Sequence, residues 1–244
     1  MGAKNARVRH GNARTGNVTH DPPIRDAATI ILLRRQASGT SVLMGMRGAG
    51  AAFMPSKYVF PGGAVDPADG TVRLAAPLAE PHQNRMARDP RPGSQADPHA
   101  LAAAALRELA EETGQLLGRP GASDLPGFAE AGLCPDASQL VYVFRAITPP
   151  ARPRRFDARF LAADAAGLAT DPDDFSRACD ELSHLHWVPL DQARALDLPF
   201  ITEVVLAELA DLIAAVHHDA PLPVPDTVPF FDNRTAEPRF VQIT

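Results

Sequence analysis

From Ala27 to Leu33 the chain is almost continuously apolar, and a second stretch, Ser41 to Met46, partly alternates after the turn residues Ala37-Ser38-Gly39. The two read as strands of one hairpin. A short third strand is predicted over residues 57–60, ending where Pro61 lacks an amide and Gly62-Gly63 lets the backbone leave sheet geometry. Residues 64–98 repeat Pro, Asp, Gly and Arg with little period, which predicts a long loop carrying at most a short helix. Leu101 to Leu117, dense in Ala, Leu, Glu and Arg, is the clearest predicted helix, closed by Gly118 and Pro120. Three short β-biased runs follow, at residues 140–147, 155–161 and 182–188. Val204, Val205, Leu206, Leu209, Leu212, Ile213 and Val216 then recur at helical spacing over residues 201–216, and the run ends in His217-His218.

The flanks differ from this pattern. Residues 1–24 are polar and end in Asp21-Pro22-Pro23, so a disordered lead is expected. After Pro221 there are four prolines before Phe230, counting Pro221 itself, which predicts an extended carboxy-terminal arm over residues 221–244, packed on the domain or on a partner. One domain over residues 25–220 remains, with an insertion at about residues 70–98.

Composition narrows the class. With 244 residues and 45% apolar content, the chain can bury a full core. Its 24 basic and 29 acidic side chains supply no overall basic field, so a nucleic-acid partner is not expected. Cys134 and Cys179 form no CxxC pair and no disulfide framework, and a reducing cytoplasm fits them. No apolar run approaches the roughly 18 to 20 residues of a membrane-spanning helix, so no membrane partner is expected. Lys4 and Lys57 are the only lysines against many arginines; coding bias explains this better than phosphate recognition.

The strong helix contains Arg107-Glu108-Leu109-Ala110-Glu111-Glu112-Thr113-Gly114. At 100 degrees per residue, Glu108, Glu111 and Glu112 fall within an arc of roughly 100 degrees, with Ala102, Ala105, Leu106 and Leu109 on the other side. Carboxylates so crowded repel one another, and a hard divalent cation removes that cost. A solvated acidic face is the competing reading of the helix taken alone. Pro61-Gly62-Gly63 upstream can present carbonyl oxygens as further cation ligands.

These residues resemble the box of the Nudix hydrolases: Gly, five residues, Glu, seven residues, then Arg-Glu-apolar-X-Glu-Glu-X-Gly-apolar. The second half matches at Arg107, Glu108, Leu109, Glu111, Glu112 and Gly114. Five residues separate Gly63 from Asp69, an acid where the family has Glu; residues 70 to 106 then intervene where the family has seven, and Gln115 replaces an apolar residue. A box interrupted by about 30 extra residues is similar to the branch of peroxisomal coenzyme A diphosphatases. Tyr58-Val59-Phe60-Pro61-Gly62-Gly63 before the box, and Ile147-Thr148-Pro149-Pro150 leading to residues 155–160 after it, add to that likeness.

The resemblance implies an α/β fold, an α/β/α sandwich around a mixed sheet. It also implies hydrolysis of a phosphoanhydride bond in a small-molecule nucleoside diphosphate linked to another group, with coenzyme A or an acyl-coenzyme A as the branch-level guess. Mg2+ or Mn2+ would be held by Glu111 and Glu112, with Glu108 as a further ligand or an aid to water deprotonation, and by the Gly63 carbonyl. Arg107, four positions before Glu111, would pair with it and fix its rotamer. Glu181 and Asp157 are candidates for an extra carboxylate, though a surface or capping role suits Glu181 as well. Arg155 and Arg159 share a strand face with Asp157 and would grip substrate phosphate, or form a plain solvated face. Phe60, with Phe53 and Tyr58, lines the pocket or packs the core. His184 and His186, at strand spacing, lack a third ligand nearby and are not expected to bind metal. A Nudix-fold sensor or scaffold that binds a nucleotide without cutting it is the alternative, and homodimerisation through the tail or insertion stays open.

Overall fold

The computed structural model describes residues 22–94, 97–214 and 216–244. The lead expected over residues 1–24 falls outside these but for its last three residues, and Ile24 already begins a strand.

Strands β1 (Ile24–Gln36) and β2 (Gly39–Arg47) form the expected antiparallel hairpin, longer at both ends than the apolar runs. β1 is apolar on both sides because both sides are covered: Ile30 and Leu32 enter one core layer, Ile31 and Leu33 the other. Strand β3 (Tyr58–Val59) pairs with β2. The glycines then correct the expectation that the chain leaves the sheet at Pro61. Gly62–Ala64 forms strand β4, antiparallel to β1 with Gly63 opposite Ala28. Missing side chains permit this approach, since a Cβ on Gly62 would meet the Ala28 carbonyl oxygen at 2.6 Å.

The insertion is structured in part. A 3-10 turn (Pro67–Thr71) leads into it, and it holds helix α1 (Glu80–Met86), whose Met86, together with Leu78, joins the core layer around the next helix. Helix α2 runs Pro98–Thr113, earlier at both ends than expected. Asp97 caps it by accepting from the Ala100 amide at 2.7 Å, and Pro98 suits the first turn. Gly114, at φ 73°, ends it where Gly118 and Pro120 had been expected to, because a left-handed residue with its amide on the Ala110 carbonyl closes the helix.

Beyond α2, a small two-stranded ladder pairs β5 (Gly118–Pro120) with β6 (Leu133–Pro135), with the single-turn helix α3 (Phe128–Ala131) between them. Strands β7 (Val141–Ile147), β8 (Arg155–Asp164) and β9 (Leu182–Pro189) lie within a few residues of the β-biased runs. Helix α4 (Phe200–Ala214) places Val205, Leu206 and Leu209 on the sheet face opposite α2. Past Pro221 the chain is extended and packs on the domain by joining its sheet, which the sequence did not indicate: β10 (Val228–Asp232) pairs parallel with β7, and β11 (Arg239–Ile243) folds back on β10. Phe230 is fully buried, so the pairing also removes a large apolar side chain from water.

The main sheet runs β11-β10-β7-β8-β1-β2-β3, with β4 on β1 and β9 on β2. It is mixed, since β1 pairs parallel with β8 and β7 antiparallel with β8. Helices cover both faces, giving the α/β/α sandwich.

Candidate active site

Four segments meet at the carboxylates of α2: strand β4, the 3-10 turn after it, the end of β2 and the start of β9. The glycine strand comes first. The Gly62 amide donates to Glu112 Oε2 at 2.8 Å. A Cβ on Gly63 would collide with the Glu108 carboxylate, whose carbon lies 2.5 Å from that position, so only glycine fits there.

The turn contributes Asp69. Its Oδ2 accepts from the Asp66 amide at 2.7 Å, the Asp66 side chain accepts from the Ala68 amide, and Asp69 is thereby fixed and buried. Arg107 binds it with two parallel contacts, Nε to Oδ1 at 2.9 Å and Nη2 to Oδ2 at 3.0 Å. The same guanidinium donates to the Ala64 carbonyl at 3.1 Å, to Glu108 Oε1 at 2.7 Å and to Glu111 Oε2 at 3.4 Å. Pairing with Glu111, anticipated as its main task, is thus its longest contact. The Asp69 hydrogen bond, then the pairing with Glu108, holds the Arg107 proton more firmly than usual against the opposing effect of burial.

A solvated acidic face does not describe these glutamates. Glu112 is 1% exposed and Glu108 also buried, while Glu111 stays exposed. Burial pushes Glu112 up to about 8, opposed by the Gly62 amide and reinforced by the charges of Glu108 and Glu181. Burial likewise raises Glu108, the Arg107 contacts opposing it. Glu112 Oε1 is buried without a hydrogen-bond partner, an orphaned acceptor in the field of Glu108 and Glu181. The oxygens do not close on one point, however. Among the described residues, three donor atoms all within 4.8 Å of one another occur only at His217, His218 and Asp219.

Of the two extra carboxylates considered, Glu181 reaches the site and Asp157 does not. Glu181 raises the proton affinity of both Glu108 and Glu112 by its charge, and its Oε1 accepts from Arg47 Nη2 at 2.5 Å. Arg47 also opposes the upward push on Glu112. Sequence reasoning missed Arg47, which ends β2 with no local sign of its destination. Asp157 lies in a buried ion network with Arg145 (2.9 and 2.8 Å) and Arg159 (3.2 Å).

Three substrate contacts expected from the sequence are corrected. Arg159 is buried and bound to Asp26 at 2.8 Å and to the Asp157 carbonyl; Arg155 is buried and donates to the carbonyls of Thr148 and Asn233. Both guanidiniums are held by fixed protein partners. Phe60 is buried in the core layer under α4, away from α2, because β3 turns that side chain to the opposite sheet face. Tyr58 packs edge-on against His186, and Phe53 against Phe156. His184 and His186 are exposed, with His184 at φ 51°.

No family model matches the chain. Among solved structures, a Nudix hydrolase from Alicyclobacillus acidocaldarius aligns at TM-score 0.59 and 28% identity, over 82% of this chain and 99% of the other. The chain has the Nudix fold. A Nudix hydrolase from M. smegmatis, RenU, aligns at TM-score 0.45 and 19% identity over 79% of this chain and 87% of its own. A C. elegans Ap4A hydrolase aligns at TM-score 0.45 and 16% identity, over 79% and 100%. Within the Nudix fold, the glycine strand, the acidic turn and the helix acids of the interrupted box come together despite the residues between them. Among the described residues no helix is long and apolar enough to cross a membrane.

Proposed function

We propose that the chain is an enzyme, a Nudix-type diphosphatase that hydrolyses the phosphoanhydride bond of a nucleoside diphosphate linked to another group. The observation that carries this reading is the orphaned, buried Glu112 oxygen, on a carboxylate bonded to the Gly62 amide and close enough to Glu108 and Glu181 to feel their charge. A buried carboxylate oxygen without a partner is costly, and a divalent cation is the partner its chemistry suits. Mg2+ and Mn2+ are the ions proposed. Mg2+ keeps several waters and takes one or two carboxylates, so the spread of the glutamates is compatible with it.

Glu112 and Glu111 would hold the cation with Glu108 and the Gly63 carbonyl, and Arg107 positions Glu108 and Glu111. When bound, the ion supplies charge neutralisation on the phosphate oxygens and acidifies a water. Glu181, exposed to solvent on one side, is suited to take the proton from that water, and Arg47 holds its carboxylate in place. Glu112 bonds the Gly62 amide, so the glycine strand and the helix hold one geometry while a substrate is turned over.

Coenzyme A or an acyl-coenzyme A is proposed as substrate on the likeness of the interrupted box alone. The free thiols Cys134 and Cys179 suit the cytoplasm as the place of action. The test is to incubate chelator-stripped protein with a panel of diphosphate compounds, with and without Mg2+ or Mn2+, and to analyse the products by mass spectrometry. Cation-dependent release of monophosphates is expected. Binding of a compound without turnover of any would instead make the protein a nucleotide sensor.

A further inference from the structure

His217, His218 and Asp219 come soon after α4 in the chain, and the carboxylate site on α2 makes no use of them. We propose that they form a second metal site, selective for a zinc-class divalent transition ion and separate from the carboxylates of α2.

The spacing of the donors is the first reason. Each residue offers one ligand atom, and all three atoms lie within 4.8 Å of one another. His218 Nε2 is 3.3 Å from Asp219 Oδ1, and His217 Nδ1 is 3.8 Å from Asp219 Oδ2. Ligands held about 2.0 to 2.2 Å from a tetrahedral ion stand about 3.3 to 3.6 Å apart, so the donors need only small rotations. The two imidazole rings already lie side by side, with centroids 4.2 Å apart.

Anchoring of the turn is the second. Arg35, its side chain 4% exposed and paired with Asp164 at 2.6 Å, donates to the carbonyls of both His217 and Ala220. A buried guanidinium therefore holds the backbone at the first donor residue and just past the last. Preorganised ligands lose less conformational entropy on binding.

Donor chemistry decides the class of ion. Two imidazole nitrogens and one carboxylate oxygen favour zinc and its neighbours over magnesium, which prefers an all-oxygen shell. His217 and Asp219 are more than two-thirds exposed, so water fills the remaining coordination positions. Arg35 sits near the carboxy-terminal end of β1, seven residues along the strand from Ala28, which Gly63 faces, so the two sites are well separated.

The test uses the full chain, stripped by a chelator and titrated with ZnCl2 by calorimetry in excess Mg2+. One magnesium-resistant equivalent of zinc is expected. It should weaken at least about tenfold in His217→Ala and vanish in His217→Ala/Asp219→Ala, as ligand loss requires, and persist in Glu112→Gln. Both substituted side chains are exposed, so unchanged circular dichroism is expected of the variants. Zinc binding of the same stoichiometry and affinity in the double variant, or no magnesium-resistant binding in the wild type, overturns the proposal.

Discussion

Asp69 and Arg107 stand 38 positions apart and meet through two hydrogen bonds of 2.9 and 3.0 Å. This buried pair closes the interrupted box: it ties the turn after the glycine strand to the helix that carries the glutamates. Asp69→Asn leaves Arg107 without its main counter-charge. A loss of about 3 kcal/mol is expected, typical of breaking one side of a buried pair, with a fall in turnover as Glu108 and Glu111 lose their positioning group. Urea unfolding and steady-state kinetics check both.

Glu112 should trade stability for activity. Its folded proton affinity, raised to about 8 by burial, lies above the unfolded value, so its contribution is full at low pH and is lost as pH rises through about 8. Gln keeps an acceptor for the Gly62 amide without the buried charge. Glu112→Gln should raise the stability of the metal-free protein at pH 8 by on the order of 2 kcal/mol and lower turnover at least about a hundredfold. Melting curves that fall in the variant would contradict the burial account.

Gly63→Ala tests the close approach. The new methyl would overlap the Glu108 carboxylate and push it from Arg107. Overpacking of this kind costs about 1 to 3 kcal/mol, and turnover should fall further than that loss alone explains. Kinetics at a temperature where the variant is fully folded separate the two effects.

His82 gives a pH dependence away from the glutamates. Burial, aided by the charge of Arg85, lowers its pKa to about 4, well below the ordinary imidazole value of 6.5. Because the unfolded chain takes up the proton first, stability held above pH 6.5 is lost as pH falls toward 4, by up to about 3 kcal/mol. His82→Gln should flatten the fall in melting temperature across that window. An unchanged slope would place the acid sensitivity elsewhere.

Arg159→Met distinguishes a structural from a substrate-binding arginine. With Asp26 and Asp157 left partly uncompensated, a loss of about 3 kcal/mol is expected while KM stays near wild type. A large rise in KM at unchanged stability would restore the phosphate-gripping role.

The hairpin β1–β2, the strands β7 to β9 and both long helices were legible in the sequence, since each carries its own period of apolar residues. Local signals misled where they were permissive. Gly62-Gly63 allows many backbone paths, and only β1 lying alongside selects the strand. The prolines after Pro221 favour extension, and only the open edge of β7 turns it into pairing. Of the candidate site, Arg107, Glu108, Glu111 and Glu112 stood out in the sequence because neighbouring turns of one helix carry them all. Arg47 was not, and Arg155 and Arg159 showed the right charge without revealing that protein partners already hold them.

Taken alone, the order of residues determined the acidic ridge on α2, its glycine neighbour upstream and the apolar faces that bury them, because these depend on periodicities within single elements. Tertiary structure decided that Asp69 reaches Arg107, that Glu181 and not Asp157 faces the glutamates, and that Glu112 is sealed from water. Such facts depend on distances between segments far apart in the chain. Burial and pairing are properties of the assembled fold, and no local window of sequence contains them.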